Sequence, residues 1–161
     1  MLITYQVSDL VWLDHANYNP STGSGSIGVE FGGTAVSSTG FGGTIASATR
    51  QASSLVRDNP ELQWNEGYYR GYFELQISHE SVVANFYGVP TVAERNGFEI
   101  SVANFTVKNG ENRLQRPVAG GVVQSGALKG GNATFSNLTL DTNSGKYSFT
   151  NFSQMIIKYT T

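Results

Sequence analysis

The chain contains no cysteine. That excludes a disulfide framework, a thiolate nucleophile and a cysteine-rich zinc site. Proline is sparse, 4 in 161 residues, which excludes collagen-like and proline-rich architectures. Charged residues make up 14% and apolar residues 39%, both below the average for a soluble domain. No apolar run approaches the ~20 residues that a membrane-spanning helix needs. The ten Lys and Arg are scattered and the net charge is -2, so there is no basic stripe to hold a phosphate backbone, and nucleic acid is not an expected partner. The inventory of two His and four Asp is thin for a two-metal site, which needs about six or more converging ligands. Met1 to Val7 reads MLITYQV, with no basic start and no long apolar stretch, and is not a secretory signal peptide.

Uncharged polar residues stand where charge is missing: 17 Ser, 14 Thr and 13 Asn, together with 19 Gly. This surface chemistry suits an extracellular β-rich protein. The length is that of one ordinary domain.

Hydrophobic periodicity gives the elements. Thr44 to Asn59 is the one convincing helix, with Thr44 as N-cap and an apolar stripe at Ile45, Ala48, Ala52, Leu55 and Val56. Asn59-Pro60 stops it, because the residue before Pro disfavours the α region. Phe73, Leu75 and Ile77 alternate with polar residues, as do Val82, Ala84 and Phe86 after a tight turn at His79-Glu80. That pattern predicts an antiparallel hairpin with those six residues buried and the helix stripe packed on its sheet. A third strand runs from Phe98 to Val107, and a short one from Ile27 to Phe31. Further strands are expected around Asn132–Leu140, Lys146–Thr150 and Gln154–Tyr159, with a turn at Asp141–Gly145. The expected fold class is α+β, dominated by β-structure, with one helix.

Several motifs invite chemistry. Gly23, Gly25 and Gly28 fit G-x-G-x-x-G, but a dinucleotide loop must lead from a strand into a helix, and here a strand-like Val29-Glu30-Phe31 follows. The bland reading is a flexible Gly-rich turn. Asp14 and His15 are neighbours that point to opposite faces of an extended chain, so they form no dyad. The other His, His79, falls in a turn. Ser37 and Ser38, beside a Gly-rich stretch running into Thr44, are a candidate anion-binding loop at a helix N-terminus. Tyr68, Tyr69, Tyr72, Phe73, Phe86 and Tyr87 cluster around the hairpin; core and cross-strand packing is the ordinary reading, and a sugar- or base-stacking platform the sharper one.

Four N-glycosylation sequons begin at Asn104, Asn132, Asn137 and Asn151. Chance alone predicts about 2.5 in a chain of this composition. Asn132 and Asn137, in the polar C-terminal region, are the expected acceptors on a secreted product, whereas Asn104 falls inside a predicted strand.

Three blocks in order carry a resemblance. Ser8 to Ser38, SDLVWLDHANYNPSTGSGSIGVEFGGTAVSS, resembles the late part of the catalytic domain of PhoD-like metallophosphatases, the alkaline phosphatase D type. Asn59 to Val92 resembles the last hairpin of that domain, and Ile100 to Gly121 looks like the C-terminal extension of its secreted fungal branch. The resemblance implies the last strands and one helix of a calcineurin-like double-sheet domain at 1–107, followed by a β-rich extension at 108–161. It implies a metal-dependent phosphomonoesterase or phosphodiesterase, using Ca or Fe type ions on phosphoester substrates and located outside the cell. In related members a Gly-Asp-x-His motif precedes the first block. Met1 to Val7 stands there instead, with no His or Asp, so no family metal ligand or catalytic residue falls on this chain. The chain is thus expected to be inactive alone, with no cofactor of its own and with the N-terminal part of the domain as its partner. The alternative is a non-catalytic, secreted β-rich interaction module.

Overall fold

The computed structural model describes residues 4–11, 17–37, 43–134, 137–141 and 146–150, the last two segments as strands only. Two antiparallel sheets stack face to face. The first has the order β2-β1-β3-β8, where β1 is Tyr5–Leu10, β2 Gly28–Gly32, β3 Leu62–Glu66 and β8 Ala127–Leu128. The second is a meander of β4 (Arg70–Ile77), β5 (Ser81–Val89) and β6 (Ile100–Lys108). A 3₁₀ turn at Val118–Gly121 leads into β7 (Val122–Val123), which pairs parallel with β9 (Asn132–Ala133). β10 (Asn137–Asp141) and β11 (Lys146–Thr150) form a separate hairpin. The strand expected at Gln154–Tyr159 lies outside the described residues.

Side chains alternate along each strand, and the two inner faces close on one another. Tyr5, Val7 and Trp64 from the first sheet share a core with Ala84, Phe86, Val102 and Phe105 from the second. The Trp64 ring lies 5.1 Å from that of Phe86 and 5.3 Å from that of Phe105, while Tyr5 meets Phe86 edge to face at 5.4 Å. These are favoured aromatic geometries. The Trp64 indole N–H donates to the Ser125 carbonyl at 2.9 Å, so its one polar atom is satisfied. Leu114, Val118, Val123 and Leu128 belong to the same core.

The helix α1 spans Ile45–Asp58 and is capped as its sequence predicts. The Thr44 hydroxyl accepts from the Ser47 N–H at 3.2 Å, and the Thr44 N–H donates to the Ser47 hydroxyl at 2.9 Å. This reciprocal pairing satisfies two end groups at once. At the other end the Asn59 N–H and side-chain amide both donate to the Leu55 carbonyl. The packing differs from expectation. Ala48, Ala52 and Val56 are buried, and the helix lies on β3 and β8, where Ala52 and Val56 join Leu62 and Ala127. It therefore covers the outer face of the first sheet rather than the hairpin sheet. The inner face of the hairpin is already filled by Tyr5 and Trp64, and its outer face is polar.

The hairpin itself has the predicted register, with Phe73 opposite Phe86 and Leu75 opposite Ala84. Ala84 and Phe86 are fully buried, but Leu75 is 46% and Ile77 74% exposed. β4 is the edge strand of its sheet, and the core covers Ala84 on the central strand β5 but not its partner Leu75 on β4.

Four strands escape the sequence reading: β1, β3 and the two-residue β7 and β8. β1 carries Asp9 at a buried position beside Tyr5 and Val7. In β3, all of Leu62, Gln63, Trp64, Asn65 and Glu66 are buried. Buried polar residues on both faces hide the period-two signal.

Candidate functional site

The outer face of the first sheet is only half covered by α1. Beside the helix, a groove of about 500 Å³ runs over β1 and β2, lined by Gln6, Ser8, Leu10, Glu30, Leu55 and Asn65 among others. Gln6 donates its amide to the Glu30 carboxylate at 3.3 Å. Asn65 donates to the Thr4 hydroxyl at 3.2 Å and to the Tyr5 carbonyl at 2.9 Å. The groove mixes polar residues with Leu10, Val11, Leu55 and Leu62.

Beneath the sheet lie two buried carboxylates with defined duties. Asp9 is 0% exposed. It accepts from the Leu114 N–H at 3.0 Å, the Tyr18 hydroxyl at 2.9 Å and the Arg116 guanidinium at 2.5 Å. Arg116 also donates to the Leu114 carbonyl at 2.8 Å and the Pro20 carbonyl at 3.1 Å. This network ties β1, the Asn17–Ser26 loop and the 114–116 connector together. Removing one partner of such a buried pair typically costs about 3–5 kcal/mol, because the other charge is left uncompensated. Burial first, and the Asp9 carboxylate second, push the Tyr18 phenol above its ordinary value, so Tyr18 serves as a donor. Glu66, also buried, accepts from the Tyr68 and Tyr69 N–H groups and from the Ser125 hydroxyl. Both carboxylates are occupied by structural partners.

The residues singled out in the sequence are dispersed. Gly23 and Gly25 adopt left-handed turns in the loop before β2, and Gly28 opens a strand rather than a helix. Asp14 and His15 lie outside the described residues. His79 is exposed in the hairpin turn. Ser37 is exposed, Ser38 lies outside the described residues, and the Thr44 hydroxyl is engaged by its own helix. Asn104 and Asn132 are exposed, the side chain of Asn137 is not among those described, and Asn151 lies outside the described residues. The aromatic cluster divides. Phe73 and Phe86 stack inward with centroids 5.0 Å apart, while Tyr72 and Tyr87 pair on the outer face at 5.3 Å. Among the described residues no three His, Cys, Asp or Glu side chains converge to hold a metal ion. Of the buried carboxylates, Asp9 and Glu66 are engaged by protein partners. The sequence reading missed the Asp9–Arg116 network. Its only signal was an acidic residue next to an apolar alternation.

Fold and site together define a β-sandwich scaffold, knitted by buried ion and hydrogen-bond networks and flanked by one helix. The family model for PhoD-like phosphatase matches residues 5–86, about half of the chain, and the chain belongs to that family. The match runs from β1 into β5 and so takes in strands of both sheets, while β6 and β8 lie beyond it. No curated protein and no solved structure matches the chain. Among the described residues no helix is long and apolar enough to cross a membrane.

Proposed function

We propose that the chain is the C-terminal part of a PhoD-like, metal-dependent phosphoester hydrolase of the secreted fungal branch, and that it does not turn over phosphoesters alone. The carrying observation is the family match across β1 to β5 combined with a donor inventory of two His and four Asp. A two-metal mechanism needs fixed ligands to stabilise both the attacking and the leaving oxygen, and second-shell partners to hold those ligands. The metals, of Ca or Fe type, would be held by motifs upstream of Ser8 in the family arrangement. Residues 1–107 belong on this reading to a calcineurin-like double-sheet domain and 108–161 to its extension. The groove over β1 and β2 is where the N-terminal part of the domain would meet this one.

A second reading is a non-catalytic secreted module. It is favoured by one observation: the core closes with residues from beyond the matched region, including Phe105, Leu114 and Val123. The two are separated by assay. The 161-residue chain, supplied with Ca²⁺, Fe³⁺, Mn²⁺ or Zn²⁺, is expected to leave p-nitrophenyl phosphate and bis-p-nitrophenyl phosphate unhydrolysed. A longer chain carrying the upstream metal-binding motifs is expected to hydrolyse one of them. Metal-dependent turnover by the 161-residue chain that is lost in His15→Ala would overturn the first reading.

A further inference from the structure

The outer face of the second sheet puts a sequon and an aromatic pair side by side. Asn104 on β6 stands opposite Asn85 on β5. Tyr87, two residues on from Asn85, points to the same face and stands opposite Tyr72 on β4. The two phenol rings lie 5.3 Å apart and 30° from parallel, and Tyr72 is 40% exposed. Tyr72 donates its hydroxyl to Glu99, which fixes that ring at the edge of the face. Asn104 is exposed, and its amide donates to the Asn85 side-chain carbonyl. Thr106, the third residue of the sequon, is two residues further along β6 and on the same face.

We infer that Asn104 carries an N-linked glycan whose first sugar lies against the Tyr87–Tyr72 pair. The inference rests on the secreted reading above for its biological setting. A diagonal cross-strand step is about 7–8 Å, within reach of an aromatic side chain. A hexosamine ring joined to the Asn104 amide covers that step. Its axial C–H groups face an electron-rich ring, and its hydroxyls and acetamido group meet the neighbouring Asn and Glu side chains. Tyrosine suits this role because it offers a flat apolar surface with a polar rim. In the transfer itself the Asn104 Nδ2 forms a bond to C1 of a lipid-pyrophosphate-linked oligosaccharide. The C1–oxygen bond breaks, the pyrophosphate leaves with the electron pair, and one amide proton passes to the transferring enzyme's base. The remaining N–H still serves Asn85. Since transfer acts on the extended chain before folding, the fold decides only whether the product is accommodated. At Asn104 it is, on an open face with a seat beside it. Asn132 is exposed as well.

The test is expression of the full chain behind a secretory leader in a eukaryotic host, so that entry into the pathway does not depend on the native route. Peptide mapping is expected to find Asn104 occupied. Trimming the glycan is expected to lower Tm by about 2–4 °C, and Tyr87→Ala is expected to abolish that difference. An NMR contact between the sugar's acetyl methyl and the Tyr87 ring is expected in the unmutated protein, which keeps the test decisive should Tyr87→Ala fold poorly. An empty Asn104, whether or not Asn132 is occupied, overturns the inference. So does an occupied Asn104 with no ring contact and no Tm change on trimming. Secretion of the native chain is scored separately, so failure of the secreted reading leaves a distinct signature.

Discussion

The two ends of the β4–β5 hairpin carry the same alternation and meet different fates. At one end Phe73 and Phe86 face each other under Tyr5 and Trp64, and Phe86 is fully buried. At the other, Leu75 and Ile77 occupy the same face and are largely exposed. Local pattern assigns a side chain to a face of its sheet. What lies across from that face decides whether the side chain leaves water. Position in the sheet contributes: Leu75 lies on the edge strand β4, and its partner Ala84 on the central strand β5 is fully buried.

The contrast can be broken from either end. Phe86→Ala removes the ring that touches Tyr5, Phe31, Trp64, Phe73 and Phe105. It is expected to destabilise the fold by about 3–5 kcal/mol in denaturant titration. A loss below about 1 kcal/mol would mean that the two sheets do not share one core. An intermediate effect is expected at Tyr5, whose hydroxyl donates to the Tyr87 carbonyl at 2.6 Å. Tyr5→Phe is expected to cost about 1 kcal/mol. Burial pushes the Tyr5 phenol above its ordinary value, with the Arg70 cation partly opposing the shift. A proton held more tightly in the folded state than in the unfolded state stabilises the fold. That contribution is complete below about pH 10, the unfolded value, and declines as pH rises further. Thermal melts from pH 8 to 11 are expected to show the decline in the parent and a shallower one in Tyr5→Phe. Identical slopes would remove Tyr5 from the account. The smallest effect is expected at the exposed end. Ile77→Thr is expected to change stability by no more than about 0.5 kcal/mol. A loss several times larger in the isolated chain would show that something covers that end.

The same contrast explains what could be read in advance. The hairpin register, the third strand and the helix with its Thr44 cap were legible, because turn chemistry, period-two alternation and capping act over a few residues. The partner of α1 was not, since small Ala48 and Ala52 fit many surfaces and only tertiary contact selects Leu62 and Ala127. β1 and β3 were hidden by Asp9, Gln63, Asn65 and Glu66, buried polar groups whose partners stand up to 107 positions away in sequence. The family resemblance was readable from the order of three blocks, and the match over residues 5–86 agrees with the first two. The candidate anion loop was read from composition. Its Thr44 hydroxyl is spent on a cap that the same composition also encodes.

The Asp9–Arg116 pair joins residues 107 positions apart, and this has a consequence for synthesis. A ribosome adds about 5–20 residues per second, so β1 waits roughly 5–20 s for the guanidinium that neutralises its aspartate. During that interval Tyr5, Val7 and Trp64 have no finished sheet to cover them, and non-local pairing of this kind closes late. The nascent chain therefore spends its longest exposed period with an incomplete apolar face. That is the interval in which a chaperone, or a stretch of chain already folded upstream, has the most to protect.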